Sequence, residues 1–219
     1  MYPKVIYFCN KTICDKTKYH VMNWKKLNPD YDIKLYDNIM CESFLLKEYG
    51  DIYKDIFNFL QDGPIKADFW RVCILHKYGG VYSDIDNEPL ISIDNFIESD
   101  INFATCSSYM AVMNFNPNFI ISEKNNIILE KCIEWYINNY KNKKKYDYWE
   151  WSVMRAFTDT LKIDNYIKND GIYYLDNMKI QIIKECKGTN HYDAHNIYNN
   201  IRVFNNRYTN WDSDTHSFK

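Results

Sequence analysis

The stretch from Asp62 to Asp86 constrains this chain more than any other. Asp62-Gly63-Pro64 reads as a helix start, because a proline in the first helical turn gives up only an N–H that has no partner there. The pattern continues through Lys66 to Tyr78, and Gly79-Gly80 ends it, since glycine accepts the backbone that closes a helix and turns the chain. Val81-Tyr82-Ser83-Asp84-Ile85-Asp86 then reads as a strand that delivers acidic groups at its far end.

The residues before this unit repeat the same grammar. Lys4 to Cys9 is a short apolar run expected to be a buried strand. A helix is expected from Asp15 to Leu27, stopped by Asn28-Pro29, and Ile33 to Tyr36 reads as a second strand. Cys41 to Leu60 reads as one helix. Strand, helix, strand, helix, strand predicts an α/β fold with a mainly parallel sheet. Beyond Pro89 the pattern weakens. Phe103 to Met113 holds one or two strands, Asn125 to Tyr140 and Trp149 to Leu161 read as helices, and the tail from Lys187 is polar around one apolar island, Ile201 to Phe204. With no internal repeat and no linker composition, residues 1–219 are expected to form a single domain.

Composition excludes more than it suggests. Net charge is −2, and the one basic run, Lys141 to Lys145, reads as a solvated face, so nucleic acid is not an expected partner. Seven cysteines without a C-x-x-C pair give neither a zinc spacing nor a disulfide framework. No apolar run approaches the roughly 20 residues of a membrane helix, and the N-terminus lacks a signal-peptide layout. A cytoplasmic chain is the expectation. The 20 tyrosines and six tryptophans suit sugar rings and nucleobases, yet they accompany abundant Asn, Ile and Lys, as AT-rich coding would produce.

The chemistry concentrates in four charged residues. On a strand, Asp84 and Asp86 would leave the same face. Two neighbouring carboxylates repel, and a divalent cation with a preference for oxygen ligands relieves that conflict. Asp68 and Arg71, three apart on the preceding helix, share a face. The double-glycine turn brings that helix and the acidic strand end together.

Lys66-Ala67-Asp68-Phe69-Trp70-Arg71, followed by Leu75-His76-Lys77-Tyr78-Gly79-Gly80-Val81-Tyr82-Ser83-Asp84-Ile85-Asp86, resembles the signature of the DXD-motif sugar transferases. That group takes in the yeast initiating mannosyltransferase type, bacterial capsular transferases, the catalytic domains of large clostridial glucosylating toxins and small transferases of large DNA viruses. A viral source and host cytoplasm would fit the residue usage. The resemblance implies a GT-A fold and transfer of a sugar from a nucleotide diphosphate, a UDP-sugar ahead of a GDP-sugar, with retention of configuration. The acceptor would be a glycan, a lipid-linked sugar or a protein.

It also implies roles. Asp68 and Arg71 match residues that hold the donor sugar and help neutralise its leaving diphosphate. Asp84 matches the first motif carboxylate, which contacts ribose, sugar or metal, and Asp86 matches the direct ligand of Mn²⁺ or Mg²⁺. Tyr7, Phe8 and Asn10 match the wall against which the base sits. There the chain departs from the family, which often has His at the position of Tyr7 and Trp at that of Asn10. Asn210-Trp211-Asp212 with His216 resembles a C-terminal loop that folds over the diphosphate. The resemblance implies Trp211 as a substrate contact and His216 as a third metal ligand, with His191, His195 and Asp193 as alternatives.

Tyr148, Trp149 and Trp151 are candidates for an acceptor face, although a stripe of that kind is more often core. Three rival readings remain. A phosphatase would want its motif after an early strand and Thr or Val where Glu88 stands. A glycosidase pair would leave Arg71 unexplained. A non-catalytic glycan- or nucleotide-binding domain would keep the fold without turnover.

Overall fold

The computed structural model describes residues 1–109, 114–161, 169–188 and 194–206, and the backbone of 211–212 and 217–218. The strands are β1 Val5–Cys9, β2 Asp32–Tyr36, β3 Gly80–Ser83, β4 Glu88–Pro89, β5 Phe103–Ser107, β6 Phe115–Ser122, β7 Gly171–Leu175, β8 Met178–Cys186, β9 His195–Tyr198, β10 Ile201–Asn205, β11 Trp211–Asp212 and β12 Ser217–Phe218. The helices are α1 Asp15–Leu27, α2 Asn38–Tyr49, α3 Asp51–Phe59, α4 Gly63–Tyr78, α5 Ile127–Lys141 and α6 Val153–Leu161. The main sheet runs β2-β1-β3-β6-β5-β8-β9-β10-β4, with β7 also paired to β8.

The expected parallel arrangement holds for β2-β1-β3 and for β5 with β8. The other pairings in that sheet are antiparallel. The sheet is therefore mixed rather than mainly parallel. Connections of two residues explain part of this: β7 and β8 meet across Asp176-Asn177, and β9 and β10 across Asn199-Asn200. Both asparagines of the second turn have positive φ, 51° and 63°, the pattern that suits a tight hairpin.

Both faces of the sheet are covered. Tyr7 and Tyr82 join the apolar cluster formed with α2 to α6, while Ile6, Phe8 and Val81 join the cluster on the α1 side. Helix α4 lies so deep that residues 68 to 75 are buried all round, the condition of a central helix. Its end is fixed by Gly79 and Gly80, with φ of 67° and 108°. A Cβ on Gly80 would sit 2.9 Å from the carbonyl oxygen of Val5, and one on Gly79 would sit 2.8 Å from the amide nitrogen of Lys124. The double glycine is therefore demanded twice, by conformation and by close approach.

Three expectations change. Cys41 to Leu60 is two helices, because Gly50 takes φ 94° between them. Trp149–Trp151 is a 3₁₀ turn, and α6 begins only at Val153. Strand β3 stops at Ser83, so Asp84, Ile85 and Asp86 occupy a turn closed by the Asn87 N–H on the Asp84 carbonyl, 3.1 Å. The period-2 argument for a shared face does not apply to them.

Candidate active site

Arg71 organises the site. Its side chain leaves buried α4 and is 4% exposed. Nη2 lies 2.8 Å from Asp68 Oδ1 and 3.0 Å from Asp84 Oδ1. Nη1 donates to the Pro117 carbonyl at 2.7 Å, Nε donates to the Ala67 carbonyl at 3.3 Å, and the guanidinium lies 4.3 Å from the Tyr82 ring centre. A planar fork with five N–H groups can meet all these partners at once, which an ammonium cannot.

Each carboxylate has a second anchor. Asp68 Oδ2 accepts the N–H of Val153, the first residue of α6, at 2.9 Å. A carboxylate at a helix N-terminus meets an unpaired donor and a favourable dipole. Asp84 Oδ1 accepts the Tyr82 hydroxyl at 2.8 Å, and its backbone N–H donates to the Asn118 carbonyl at 2.7 Å. Asn118 also takes the amide of buried Asn87 at 2.9 Å.

Among the described residues the site gathers more acidic than basic groups. Burial raises the Asp68 carboxyl to about 6, against the opposing pull of Arg71 and the Val153 N–H. Burial likewise raises Asp84, with Arg71 and the Tyr82 hydroxyl opposing. One guanidinium thus serves two carboxylates, and Asp86, half-buried two residues on, adds a third. Asp84 keeps 30% of its side chain exposed, against 11% for Asp68. The open side of the cluster is therefore the motif turn.

The structure brings Asp68, Arg71 and Asp84 together and puts Asp86 beside them in the same turn. The base-wall expectation needs correction. Tyr7 is 2% exposed and Phe8 0%, and their side chains fill opposite cores. Asn10 is half-buried just past the end of β1, its amide 3.0 Å from the Thr12 carbonyl. Trp151 is core at 0% exposure, hydrogen-bonded to the Lys145 carbonyl, whereas Trp149 is 51% exposed. Tyr148 stands edge-on to Trp149, ring centres 5.1 Å apart. Burial, then the charges of Asp68, Asp62 and Asp84, push the Tyr148 hydroxyl up to about 12. His195 lies on β9, opposite Cys186 and Asn205. His191, Asp193 and His216 lie outside the described residues, and so does the side chain of Trp211.

Sequence reasoning missed Tyr82, Asn87, Pro117, Asn118 and Val153. Tyr82 was legible in principle, two residues before the first motif aspartate. So was Asn87, directly after Asp86, which acts through its side-chain amide, whereas Pro117, Asn118 and Val153 act through backbone groups of distant elements that no residue type announces.

Residues 14–104 match the family described as "Glycosyltransferase sugar-binding region containing DXD motif", a range that takes in Asp68, Arg71, Asp84 and Asp86. Among curated proteins the chain is similar to the initiation-specific alpha-1,6-mannosyltransferase of Schizosaccharomyces pombe, 29% identical over 100 residues, or 43% of this chain and 25% of that protein. It is also similar to mannosyl phosphorylinositol ceramide synthase SUR1 of Saccharomyces cerevisiae, 29% identical over 126 residues, or 54% of this chain and 33% of that protein. The matches thus span a quarter to a third of these relatives' length. Among solved structures, the PaToxG glycosyltransferase superposes with a TM-score of 0.59 at 18% identity, over 74% of this chain and 70% of that one.

Proposed function

We propose that this chain, which has the GT-A fold and carries in residues 14–104 the sugar-binding region of the DXD-motif glycosyltransferases, transfers a sugar from a nucleotide diphosphate donor to an acceptor. The observation that supports it best is the surplus of carboxylates around Arg71. Asp68 and Asp84 share its one guanidinium, and Asp86 follows in an open turn.

That donor set suits Mn²⁺ or Mg²⁺, which prefer hard oxygen ligands. Among the described residues no group of three or more His, Cys, Asp or Glu could hold an ion alone. Asp86 and Asp84 would hold it and leave positions for the donor's phosphates, and the bound cation would supply positive charge where the departing diphosphate gathers negative charge. Asp84 can serve because Oδ1 is fixed by Arg71 and Tyr82, which orients the carboxylate before any ligand arrives.

Arg71 acts from within. At 4% exposure it holds Asp68 and Asp84 at fixed places and contributes its field to the site. Asp68 stands at the start of α6 and would accept a hydroxyl of the donor sugar with its lone pairs not taken by Arg71 and Val153. Asn10, just past the end of β1, would meet the base, and exposed Trp149 with Tyr148 would offer an apolar face to an acceptor sugar. Retention fits a site in which the leaving phosphate itself takes the acceptor proton, so no dedicated base is assigned. The UDP-sugar remains the first donor to try. A GDP-sugar is the second. No helix among the described residues is long and apolar enough to cross a membrane, and a cytoplasmic location stays part of this reading.

A thermal-shift screen of UDP- and GDP-sugars with and without Mn²⁺ tests the proposal, because a ligand that binds only the folded state raises the melting temperature by mass action. A metal-dependent shift with one nucleotide, followed by release of free sugar, is the expected result. A shift without any turnover would favour the non-catalytic binding domain, and no shift at millimolar donor would remove the transferase reading.

A further inference from the structure

We propose that Glu185, acting through Asn116, is a positioning residue that sets Arg71 and the acidic motif turn from behind. Its consequence for turnover rests on the transferase reading, whereas its structural part does not.

The ladder between β5 and β6 is broken at one place. Thr105 pairs with Ile120 and Ser107 pairs with Phe115, so β6 passes residues 116–119 where β5 has only Cys106. A bulge of this kind turns a strand out of its ladder and redirects its groups, and bulges gather next to active sites. Here it leaves the Pro117 carbonyl outside the β5 ladder, while on the other edge Asn118 continues the β3 register one step past Ser83–Phe119. The Pro117 carbonyl receives Arg71 Nη1 at 2.7 Å. That of Asn118 receives the Asp84 N–H at 2.7 Å and the Asn87 amide at 2.9 Å. This stretch of β6 therefore holds both the guanidinium and the turn that carries Asp84 and Asp86.

The bulge is in turn held by Glu185. Its side chain comes from β8, one residue beyond the last β5 pairing, Ser107 with Lys184. Oε1 accepts the Asn116 amide at 2.6 Å and the Asn206 amide at 2.7 Å, and Oε2 accepts the Tyr109 N–H at 3.2 Å. Glu185 is 5% exposed. Hydrogen bonds to an ionised acceptor are about twice as strong as neutral ones, and buried networks that are satisfied rigidify what they join. One carboxylate thus joins the end of β5, the bulge of β6 and the residue after β10. A chain of contacts runs Glu185, Asn116, Pro117-Asn118, then Arg71 and Asp84.

The test exchanges donor and acceptor. Asn116→Asp sets a second carboxylate against Glu185 where a 2.6 Å hydrogen bond stood. It should speed amide hydrogen exchange at Asp84 and Asn87 at least about tenfold, the scale of losing a bond to a charged group. It should lower kcat for donor hydrolysis by a similar factor with KM within about twofold, as for an interaction that acts in the transition state. Adding Glu185→Gln supplies an N–H for the new carboxylate, and the Asn206 amide can flip to present its oxygen. The double variant should recover both readouts.

Unchanged exchange at Asp84 and Asn87 in Asn116→Asp would overturn the proposal. So would a rise of equal size throughout β1 and β2, which would mean a purely structural role. If Asn116→Asp does not fold, Asn116→Ala carries the test, since it removes the amide that Glu185 holds and leaves no group at 116 that can flip to restore the bond. Exchange at Asp84 and Asn87 must rise in it, and no rise there rejects the brace. A wild-type chain that turns over no donor, yet shows this exchange pattern, would remove the transferase reading and leave the brace standing.

Discussion

The carboxylate of Asp68 accepts the backbone N–H of Val153, 85 residues further along the chain, at 2.9 Å. This bond makes the N-terminus of α6 part of the same constellation as Arg71 and Asp84, and it makes the protonation of Asp68 matter to two helices. A pH prediction follows from it. Because burial raises Asp68 to about 6, the folded chain binds this proton more tightly than the unfolded chain, where an aspartate titrates near ~3.9. The stability tied to the group is complete below pH ~4 and is lost as pH rises through about 6. Turnover runs the other way, since it needs ionised carboxylates, and should fall as pH drops through about 6. Asp84 is raised as well, so this acid limb belongs to the cluster rather than to one residue. Urea midpoints and donor hydrolysis between about pH 4 and 8 check both signs, and an acid limb near pH ~4 would contradict the assignment.

Arg71→Ala should cost about 3–5 kcal/mol, because it leaves Asp68 and Asp84 buried without their cation. Arg71→Lys should recover part of the stability and little of the turnover, since an ammonium cannot reach both carboxylates and the Pro117 carbonyl together. Denaturant unfolding and donor hydrolysis on the two variants separate these effects. Wild-type turnover in Arg71→Lys would remove the guanidinium from the mechanism.

Asp86→Ala should fold with a melting temperature within a few degrees of wild type, as a half-buried turn residue adds little to the core. Metal-dependent turnover should disappear. Full activity in this variant would exclude Asp86 as a ligand, and so would an unchanged metal-dependent thermal shift.

The glycines give a paired prediction. Gly80→Ala meets a φ of 108° and the Val5 carbonyl at 2.9 Å, and should destabilise by about 2 kcal/mol or more through strain and displacement. Gly63→Ala meets nothing within 4 Å beyond its chain neighbours and should change stability by less than about 1 kcal/mol, because the restriction of the unfolded chain is offset by the crowding of a helical Cβ against the following Pro64 ring. Equal urea midpoints for the two would refute this account of the turn.

Trp149→Ala should leave donor hydrolysis near wild type and lower transfer to a sugar acceptor, since the ring is 51% exposed and lies outside the carboxylate cluster. Equal losses in both reactions would place Trp149 in the donor site instead.

The opening of the fold was legible because its signals are local. Helix α1 occupies the residues expected of it, and α4 begins and ends at its proline and its paired glycines. The second half was less legible. The hairpin β7–β8 carries a local signal in its Asp176-Asn177 turn and the alternation of Met178 to Ile182, but its place in the sheet depends on β5, more than 60 residues earlier. The single helix expected over Cys41 to Leu60 contains Gly50, whose φ of 94° divides it in two.

The sequence alone singled out the four charged residues of the candidate site, because Asp68, Arg71, Asp84 and Asp86 stand close in the chain at spacings that a helix and a glycine turn convert into proximity. It did not determine how they are held. The motif leaves its strand at Ser83 rather than Asp86, Arg71 is buried rather than presented at the surface, and Tyr7 and Phe8 are spent in the cores. Those outcomes depend on carbonyls of Pro117 and Asn118 and on the N–H of Val153, groups every residue carries and no side chain advertises. Only the packed sheet decides which backbone group arrives beside which carboxylate.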